Sequence, residues 1–389
     1  MTPHHFLRPF ALLLATTGTL LAQNGVGVIV DRGSANPARA PYVHVFDPCT
    51  LQITGSVALP LPGFDQVFDC EIAPDKRTAY VSDFLGHRVW VVDLTQSPPV
   101  LATGINPIVV TSNSIQDIEL TPNGRFLLTS TGNELASAGG TGGSLSVIDL
   151  TTRTQVESVD FSPACPVAVA AGPDRSVVVS VLKVAQAAFA DTDVRRFTID
   201  ANGQLTDTSE SIGIAQVPGV HNLLIPTFPH LPTWARAYLS RSTVHVSRPA
   251  GGSFGSLCTK GLTVTQTLPL GNPTGIDACF DPLRHLLYVR SNELGVSSGA
   301  GVGNSRIDGY LFLPFFGAFG PPVMSVALER RAGTAFGVEQ TAVDPATRRL
   351  FVSGLANGEV RVFDSVSGVQ VGSITHPDLL WGLGICVRH

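Results

Sequence analysis

One arrangement of strands and turns recurs along this sequence with a period of about 50 residues. It is clearest in residues 67–94, 115–150 and 338–364, where an apolar strand ends near a proline, a polar turn follows, and later strands end in aspartate. The turn prolines are 48 to 63 residues apart and stand at Pro74, Pro122, Pro173, Pro226, Pro282 and Pro345. A four-stranded propeller blade needs about this length, so the period predicts a β-propeller.

The two ends of the chain complement each other in this pattern. Residues 25–31 and 42–57 supply a second, third and fourth strand without a first, whereas residues 382–388 read as a first strand with nothing after it. The sequence therefore predicts an all-β fold, a seven-bladed β-propeller over residues 23–389. We expect its ring to be closed by pairing of the C-terminal strand with the N-terminal blade, which leaves only short, protected edges.

Three of the second strands carry related signatures. Tyr80–Asp83 reads YVSD, Tyr288–Asn292 reads YVRSN, and Phe351–Gly354 reads FVSG. These strands resemble the signature of the YVTN repeat family, and the resemblance extends over nearly the whole chain after residue 22. It implies a propeller fold. Relatives of this kind include cell-surface and binding proteins, and similar seven-bladed propellers include lactonases, so the resemblance alone does not choose between binding and hydrolysis.

The first 22 residues have the pattern of an export signal. Arg8 precedes an apolar run from Phe10 to Leu21, and Ala22 stands before the polar Gln23. This run is shorter than the roughly 20 apolar residues that a membrane-spanning helix needs. We therefore expect residues 1–22 to be a signal peptide. The mature chain is then secreted, periplasmic or extracellular, with no membrane span.

The six cysteines, at positions 49, 70, 165, 258, 279 and 386, contain no C-x-x-C pair. This spacing predicts neither a thioredoxin-like redox site nor a cysteine-rich zinc site. An oxidising compartment permits disulfides. For Cys70, Cys279 and Cys386, which fall in apolar strands, the sequence leaves a buried thiol and a disulfide as alternatives.

The charge of the chain argues against a nucleic-acid partner. It contains 25 basic and 30 acidic residues, a net charge of -5, and no cluster of Lys and Arg that could follow a phosphate backbone.

Acidic side chains recur at one register of the predicted first strands. The residues five positions before the turn prolines are Asp69, Asp117, Ala168, His221, Asp277 and Gln340. In two successive repeats a glutamate follows two residues later, at Glu71 and Glu119, so each acid pair lies on one face of its strand. First strands lie nearest the propeller axis, where an unpaired buried carboxylate is very costly. The acids must therefore be hydrated, paired or bound to a cation.

Three chemical roles fit these acids. Channel water could solvate them, or they could pair with basic residues of the following loops, such as Arg32, Lys183, Arg241 and Arg290. The second role is a bound Ca²⁺, because hard cations take oxygen ligands; its candidate ligands are Asp69, Glu71, Asp117, Glu119 and Asp277. The third is acid–base catalysis without metal, since closely spaced carboxyls raise one another's pKa. His221 is the candidate metal ligand or general base, with a structural histidine as the alternative.

Two matching inserts follow second strands, because Asn133-Glu134-Leu135 recurs as Asn292-Glu293-Leu294. Both loops leave the blade at the end where the first strand begins. Propellers usually bind ligands on such a loop-rich face, so the candidate ligand-binding residues are Asn133, Glu134, Asn292, Glu293 and Gln340. The alternative is that the inserts are tolerated surface loops.

Aspartates end the predicted third strands at Asp47, Asp93, Asp149, Asp200 and Asp364. A short carboxylate in this position can accept a hydrogen bond from the backbone two residues on. We therefore predict a structural role for these five residues and no chemistry.

Three functions survive, and they belong to different classes. The favoured one is an extracellular binding or interaction module, whose ligand or protein partner is unidentified and lies on the loop-rich face over the central channel. The second is a Ca²⁺-dependent, lactonase-like hydrolase. The third is a structural surface protein. The sequence contains no nucleotide-binding motif, no H-E-x-x-H zinc site and no credible nucleophile triad, which weakens the enzymatic hypothesis.

Overall fold

The computed structural model describes residues 25–35, 38–61, 67–84, 86–111, 114–132, 142–172, 174–182, 192–214, 222–224, 236–239, 243–249, 262–269, 274–292, 304–313, 318–329, 340–354, 358–380 and 382–389. These residues contain 31 β-strands. In this part of the chain no helix is long and apolar enough to span a membrane.

The first fourteen strands are β1 Val26–Asp31, β2 Ser34–Ala35, β3 Ala38–Arg39, β4 Tyr42–Phe46, β5 Ile53–Ala58, β6 Val67–Ile72, β7 Thr78–Asp83, β8 Arg88–Asp93, β9 Val100–Leu101, β10 Ile108–Val109, β11 Ile115–Leu120, β12 Phe126–Thr131, β13 Ser144–Asp149 and β14 Thr154–Asp160.

The remaining strands are β15 Cys165–Ala171, β16 Ser176–Leu182, β17 Thr192–Ile199, β18 Leu205–Ile214, β19 Asn222–Leu224, β20 Arg236–Leu239, β21 Thr243–Pro249, β22 Leu262–Pro269, β23 Thr274–Asp281, β24 Leu286–Asn292, β25 Asn304–Leu313, β26 Ala318–Glu329, β27 Thr341–Asp344, β28 Arg349–Val352, β29 Val360–Asp364, β30 Gln370–Ile374 and β31 Gly382–Arg388.

Six antiparallel sheets of the described chain are each built from consecutive strands. They comprise β6–β10, β11–β14, β15–β18, β19–β22, β23–β26 and β27–β30. A further four-stranded sheet, the composite sheet, combines both ends of the chain in the order β31-β1-β4-β5, with Val28 opposite Cys386 and Ile29 opposite Ile385. A short ribbon pairs β2 with β3. The prediction of an all-β propeller is confirmed.

The inner strands, β6, β11, β15, β19, β23, β27 and β31, contact one another around a common centre. The first six contact their neighbours in chain order, and β31 contacts both β27 and β6. Each inner strand therefore belongs to one sheet through hydrogen bonds and also contacts the inner strands of the neighbouring sheets. This arrangement brings residues of distant sequence position together at the centre.

Burial follows the position of a strand within its sheet. Every residue of β12 and β13 is buried, whereas the outermost strand β14 alternates between exposed and partly buried residues. Strands covered on both faces need apolar side chains on both, which explains runs such as the valines of β16. An outer strand faces water on one side and therefore shows a period of two.

The hydrophobic core lies between neighbouring sheets. In one such layer, Val43 and Val45 of β4 pack in the same buried cluster as Val81 of β7 and Val92 of β8. Each fully buried valine stabilises the fold by about 1.5–3 kcal/mol relative to an exposed one. Because the layers join successive sheets, the same residues that fold one sheet hold it to the next.

The predicted aspartate turns are confirmed. The backbone N–H two residues later donates to each of the carboxylates at distances of 2.6 to 3.1 Å, in Asp47, Asp93, Asp149, Asp200 and Asp364. The turns between first and second strands share another feature, one residue with positive φ, at Lys76, Gly124, Arg175, His285 and Arg348. Both features shape tight hairpins without side-chain chemistry.

Candidate functional site

Six of the described inner strands, all but β19, line a cavity of about 380 Å³, the inner cavity. Six of the candidate residues predicted from the sequence line it together, namely Asp69, Glu71, Asp117, Glu119, Asp277 and Gln340. Their shared register on the first strands is what brings them to one place. The first four, from the neighbouring strands β6 and β11, form the acid cluster.

Strand alternation places the side chains of the acid cluster on one face of β6 and one face of β11. Asp69 and Glu71 lie on one face of β6, and the intervening Cys70 is buried in the hydrophobic layer shared with the composite sheet. On β11, Ile118 likewise joins a hydrophobic layer between Asp117 and Glu119. Each carboxyl pair therefore lies on the face of its strand opposite the hydrophobic layer, and the two pairs stand on adjacent inner strands.

The aspartates of the acid cluster bind the backbone of the next sheet. Asp69 Oδ2 accepts a hydrogen bond from the N–H of Ile118 at 3.0 Å, and Asp117 Oδ2 accepts one from Val169 at 2.7 Å. On the next inner strand, the residue aligned with Asp69 is Asp117, and the residue aligned with Asp117 is Ala168. In both cases the donor is the residue directly after the aligned one. The carboxylates thus join neighbouring sheets.

The same contact recurs on the other side of the cavity. Asp277 Oδ2 accepts hydrogen bonds from the N–H and hydroxyl of Thr341 at 2.5 and 2.7 Å. Gln340 Oε1 accepts one from the N–H of Ile385 at 2.9 Å. From the sequence, the expected partners of these acids are water, basic side chains or a cation. For these oxygens the structure provides backbone amides of the adjacent strand, whose offset of one residue could not be seen without the fold.

Gln340 also contacts the acid cluster directly. Its Nε2 donates to Asp69 Oδ1 at 2.6 Å, and the backbone N–H of Cys70 donates to the same oxygen at 2.8 Å. With the Ile118 amide, Asp69 therefore accepts three N–H donors. This carboxylate is well satisfied, and a ligand would meet it in a fixed orientation.

The glutamates of the acid cluster hold their protons tightly. Burial is the main cause that raises the pKa of Glu71 well above its ordinary value, and the nearby charges of Glu119 and Asp69 add to it. Burial and the charge of Asp69 raise the pKa of Glu119 to about 8, although the Ala171 N–H and Arg388 act in the opposite direction. At neutral pH this pair therefore carries protons that ordinary glutamates have lost.

The pKa values of Asp117 and Asp277 differ because other interactions offset the effect of burial more strongly in Asp277. The pKa of Asp117 is raised well above its ordinary value by burial, then by the charge of Asp69 and a hydrogen bond between the two carboxyls. Burial raises the pKa of Asp277 only to about 6, because the two Thr341 donors and the charge of Arg290 favour the ionised form. The acid cluster is thus the more protonated side of the cavity.

Arg388 is the functional residue that sequence reasoning missed. It lines the inner cavity, donates to the Ile72 carbonyl at 2.9 Å, and its charge lowers the pKa of Glu71 and Glu119. The strand that carries it, β31, was predicted. Side chains alternate along a strand, so Gly384, Cys386 and Arg388 share one face of β31. This face corresponds to the one that carries the glutamates in β6 and β11, and the sequence alone could have placed Arg388 there.

Arg290 is the one predicted basic partner whose contacts are described. It is fully buried and donates to the Ser353 carbonyl at 2.7 Å and to Ser305 Oγ at 3.2 Å. Its charge acts on Asp277. Of the other three, Arg32 is buried, and positions 183 and 241 lie outside the described residues.

Several predicted ligand-binding residues are not part of the described site. Asn292 ends β24, where its backbone pairs with Thr274 and Ser305. His221, Asn133, Glu134 and Glu293 lie outside the described residues. Their roles stay predictions. Among the residues that the structure does describe, no group of three or more His, Cys, Asp or Glu side chains is arranged to hold a metal ion, and the Ca²⁺ site also stays a prediction.

No disulfide joins the described cysteines, which stand at positions 49, 70, 165, 279 and 386. Cys70, Cys279 and Cys386 line the inner cavity beside the acids. Cys258 lies outside the described residues.

Comparison with known proteins supports the fold. No family model matches the chain, and no curated protein matches it, so the YVTN resemblance stays a prediction. A solved structure of a protein of unknown function from Desulfotomaculum acetoxidans superposes with a TM-score of 0.69 at 18% identity, covering 94% of this chain and 99% of that one.

Two further solved structures belong to lactonase-like propellers. A putative 6-phosphogluconolactonase from Bacteroides fragilis has a TM-score of 0.63 at 14% identity, with 95% of this chain and 98% of that chain covered. A periplasmic gluconolactonase from Pseudomonas aeruginosa has a TM-score of 0.61 at 14% identity, with 94% and 99% covered. At these identities the likeness extends to the propeller fold and not to the chemistry.

Proposed function

We propose that this protein is a binding module that holds a small, positively charged organic ligand in the inner cavity. The observation that carries the proposal is the number of carboxyl groups in the lining. Five carboxyl groups face the cavity, from Asp69, Glu71, Asp117, Glu119 and Asp277, and Arg388 is the only basic residue among the described residues of the lining.

The raised pKa values give a reason for a cationic ligand. Glu119, with a pKa of about 8, and Glu71 keep protons at neutral pH because neighbouring carboxylates and burial disfavour their ionisation. An ammonium group close to them would favour the charged forms. Ligand binding would then release protons and convert a costly arrangement of acids into an ion-paired one.

The size of the cavity favours an organic cation over a bare metal ion. A volume of about 380 Å³ lies within the range of small-molecule pockets. The oxygens of Asp69, Asp117 and Asp277 already accept between one and three N–H donors each. A ligand amine can share such oxygens through single hydrogen bonds, whereas Ca²⁺ needs six to eight oxygens converging on one point.

The proposal includes the architecture around the cavity. We infer that the composite sheet is the seventh blade and that the pairing of β1 with β31 closes the ring. This is supported by the contacts of β31 with both β27 and β6. We also propose that the protein is secreted, because residues 1–22 have the pattern of an export signal. The periplasmic location stated for the Pseudomonas propeller agrees with it.

Thermal unfolding with matched probes tests the binding proposal. Glucosamine and glucose differ by an ammonium group, and a true ligand at a hundredfold above its Kd adds about 2.7 kcal/mol of stability. We expect glucosamine to raise the Tm, glucose to leave it unchanged, and the Glu71→Gln/Glu119→Gln variant to lose the response. Glu157→Gln, on the outer strand β14, is the matched control and should keep it.

Other outcomes would contradict the amine proposal. Stabilisation by Ca²⁺ that a chelator reverses, without any response to glucosamine, would replace it with the calcium site predicted from the sequence. A chain that responds to none of these probes would favour the structural role.

A second candidate function rests on the pKa of Glu119. A carboxyl with a pKa of about 8 beside another protonated carboxyl can exchange protons near neutral pH, as a general acid or base must. The two lactonase-like propellers supply the substrate class. An acidic cavity repels phosphate, so this hypothesis requires an uncharged lactone. Glucono-δ-lactone hydrolysis followed at constant pH tests it. We expect hydrolysis above the uncatalysed rate that Glu119→Gln abolishes, and equal rates with and without protein would reject it.

A further inference from the structure

We propose that Cys70 and Cys386 form a disulfide that ties the C-terminal strand β31 to β6 in the neighbouring sheet. The two strands belong to different sheets and are far apart in sequence. They meet as adjacent inner strands. Such a bond would fix the last strand of the chain in place.

The two thiols occupy the same buried layer. Cys70 is buried in the hydrophobic cluster between the composite sheet and β6–β8, and Cys386 packs against that cluster. Both also line the inner cavity. Their registers differ by one position, since Cys386 aligns with Glu71 and Cys70 lies one residue before it. Strand alternation therefore turns the two side chains towards each other across the boundary between the sheets.

The electrostatics of the two thiols are linked. Each thiol is among the causes of the other's pKa, and burial is the largest cause for both. A disulfide requires the sulfur atoms to approach to about 2.05 Å, and both side chains pack in the one hydrophobic layer between the two sheets. Cys279, the other described cysteine that lines the cavity, interacts instead with Asp277 and Thr341.

The oxidation balances with a small disulfide such as oxidised glutathione. The thiolate of one cysteine attacks the glutathione disulfide, forms a mixed disulfide and releases one glutathione thiol. The second cysteine then attacks the mixed disulfide, which forms the Cys70–Cys386 bond and releases the second glutathione thiol. The two cysteines lose two electrons and two protons, and the oxidant gains them.

Burial determines when this bond forms. It raises the pKa of Cys70 and of Cys386, so neither is a reactive thiolate in the folded protein. The exchange therefore takes place while β31 docks during folding.

Peptide mapping of the full-length protein tests the bond without any variant. The protein is refolded with oxidised glutathione, alkylated in denaturant without reductant, and cut before aspartate. This cleavage isolates Cys70 in residues 69–74 and Cys386 in residues 378–389, away from Cys49. We expect these two peptides to appear linked, and two of the six cysteines to resist alkylation. Separate, alkylated peptides, or a link to another cysteine, would overturn the proposal.

Stability gives an independent readout. Wild-type protein refolded with oxidised glutathione should have a Tm at least ~2 °C above that of protein refolded under excess reductant. Cys70→Ser and Cys386→Ser should each remove this difference. Cys279→Ser, also on an inner strand and lining the cavity, should retain it. A redox-independent Tm in the wild type contradicts the proposal.

Discussion

The side-chain amide of Gln340 donates a 2.6 Å hydrogen bond to Asp69, although the two residues lie 271 positions apart in the chain. The other end of the same amide accepts from the N–H of Ile385. One side chain directly before β27 thus contacts both β31 and β6. The contact holds the acid cluster in place where the two ends of the chain meet.

Replacing Gln340 by leucine should destabilise the fold. The substitution leaves the buried N–H of Ile385 without its acceptor and removes one donor from Asp69. We expect a loss of about 1–3 kcal/mol in the free energy of unfolding, measured by denaturant titration. Gln370→Leu, on the exposed strand β30, is the control and should change it by less than about 0.5 kcal/mol. Equal losses in both variants would show that the bridge contributes nothing.

Asp277 separates the role of the acceptor oxygen from that of the charge. Asp277→Ala removes the acceptor of both Thr341 donors and should cost about 1–3 kcal/mol of stability. Asp277→Asn keeps an oxygen and should cost less. The folded pKa of about 6 lies above the ordinary 3.8, so the wild type loses stability as pH rises between these values. In denaturant titrations, the free energy of unfolding should differ less between pH 4 and pH 7 for Asp277→Asn than for the wild type. An equal difference in both proteins would contradict this.

Glu119 should make the fold less stable as pH rises. Its folded pKa of about 8 exceeds the ordinary value of 4.5. The folded state therefore keeps a proton that the unfolded chain loses, and the free energy of unfolding falls from pH 4.5 to 8. Glu119→Gln should flatten this profile and stabilise the protein at pH 8 by on the order of 2 kcal/mol. Glu157→Gln should keep the slope of the wild type. A Glu119 variant with that same slope would show that the carboxyl ionises normally.

His44 should make the fold less stable as pH falls. The side chain is fully buried between Tyr42 and His376, and burial, followed by the charges of His376 and Arg39, lowers its pKa to about 4. The stability that the neutral ring provides is fully present above pH 6.5 and is lost as pH falls from 6.5 to 4. An NMR titration should find one histidine with a pKa near 4 whose signal is absent in His44→Gln. A signal of His44 that titrates near 6.5 would contradict this.

Much of the fold could be predicted from the sequence, because repeats, turn prolines and strand-ending aspartates are local signals. The common register of Asp69, Asp117, Asp277 and Gln340 also predicted that these side chains meet around one centre. Their partners could not be predicted in this way. Each oxygen accepts a hydrogen bond from a particular backbone N–H. That choice depends on the offset between neighbouring inner strands, which is set by the packing of whole sheets.

The same limit explains Arg388 and the cysteine pair. Arg388 stands in the last strand, whose register relative to β6 and β11 is fixed only when the two ends of the chain come together. Cys70 and Cys386 meet for the same reason. Conversely, the loop residues Asn133 and Glu134 repeat a sequence pattern whose role stays a prediction.

Proton release on ligand binding is the most direct test of the inner cavity as a site for a positively charged organic ligand. Calorimetric titration of glucosamine at pH 7, in two buffers of different ionisation enthalpy, measures the protons released per ligand bound. We predict release of a substantial fraction of a proton, because the ammonium group lowers the pKa of Glu119 from about 8. We also predict that Glu71→Gln/Glu119→Gln loses this release. Absence of binding, or binding with no buffer dependence, would contradict a positively charged ligand in the inner cavity.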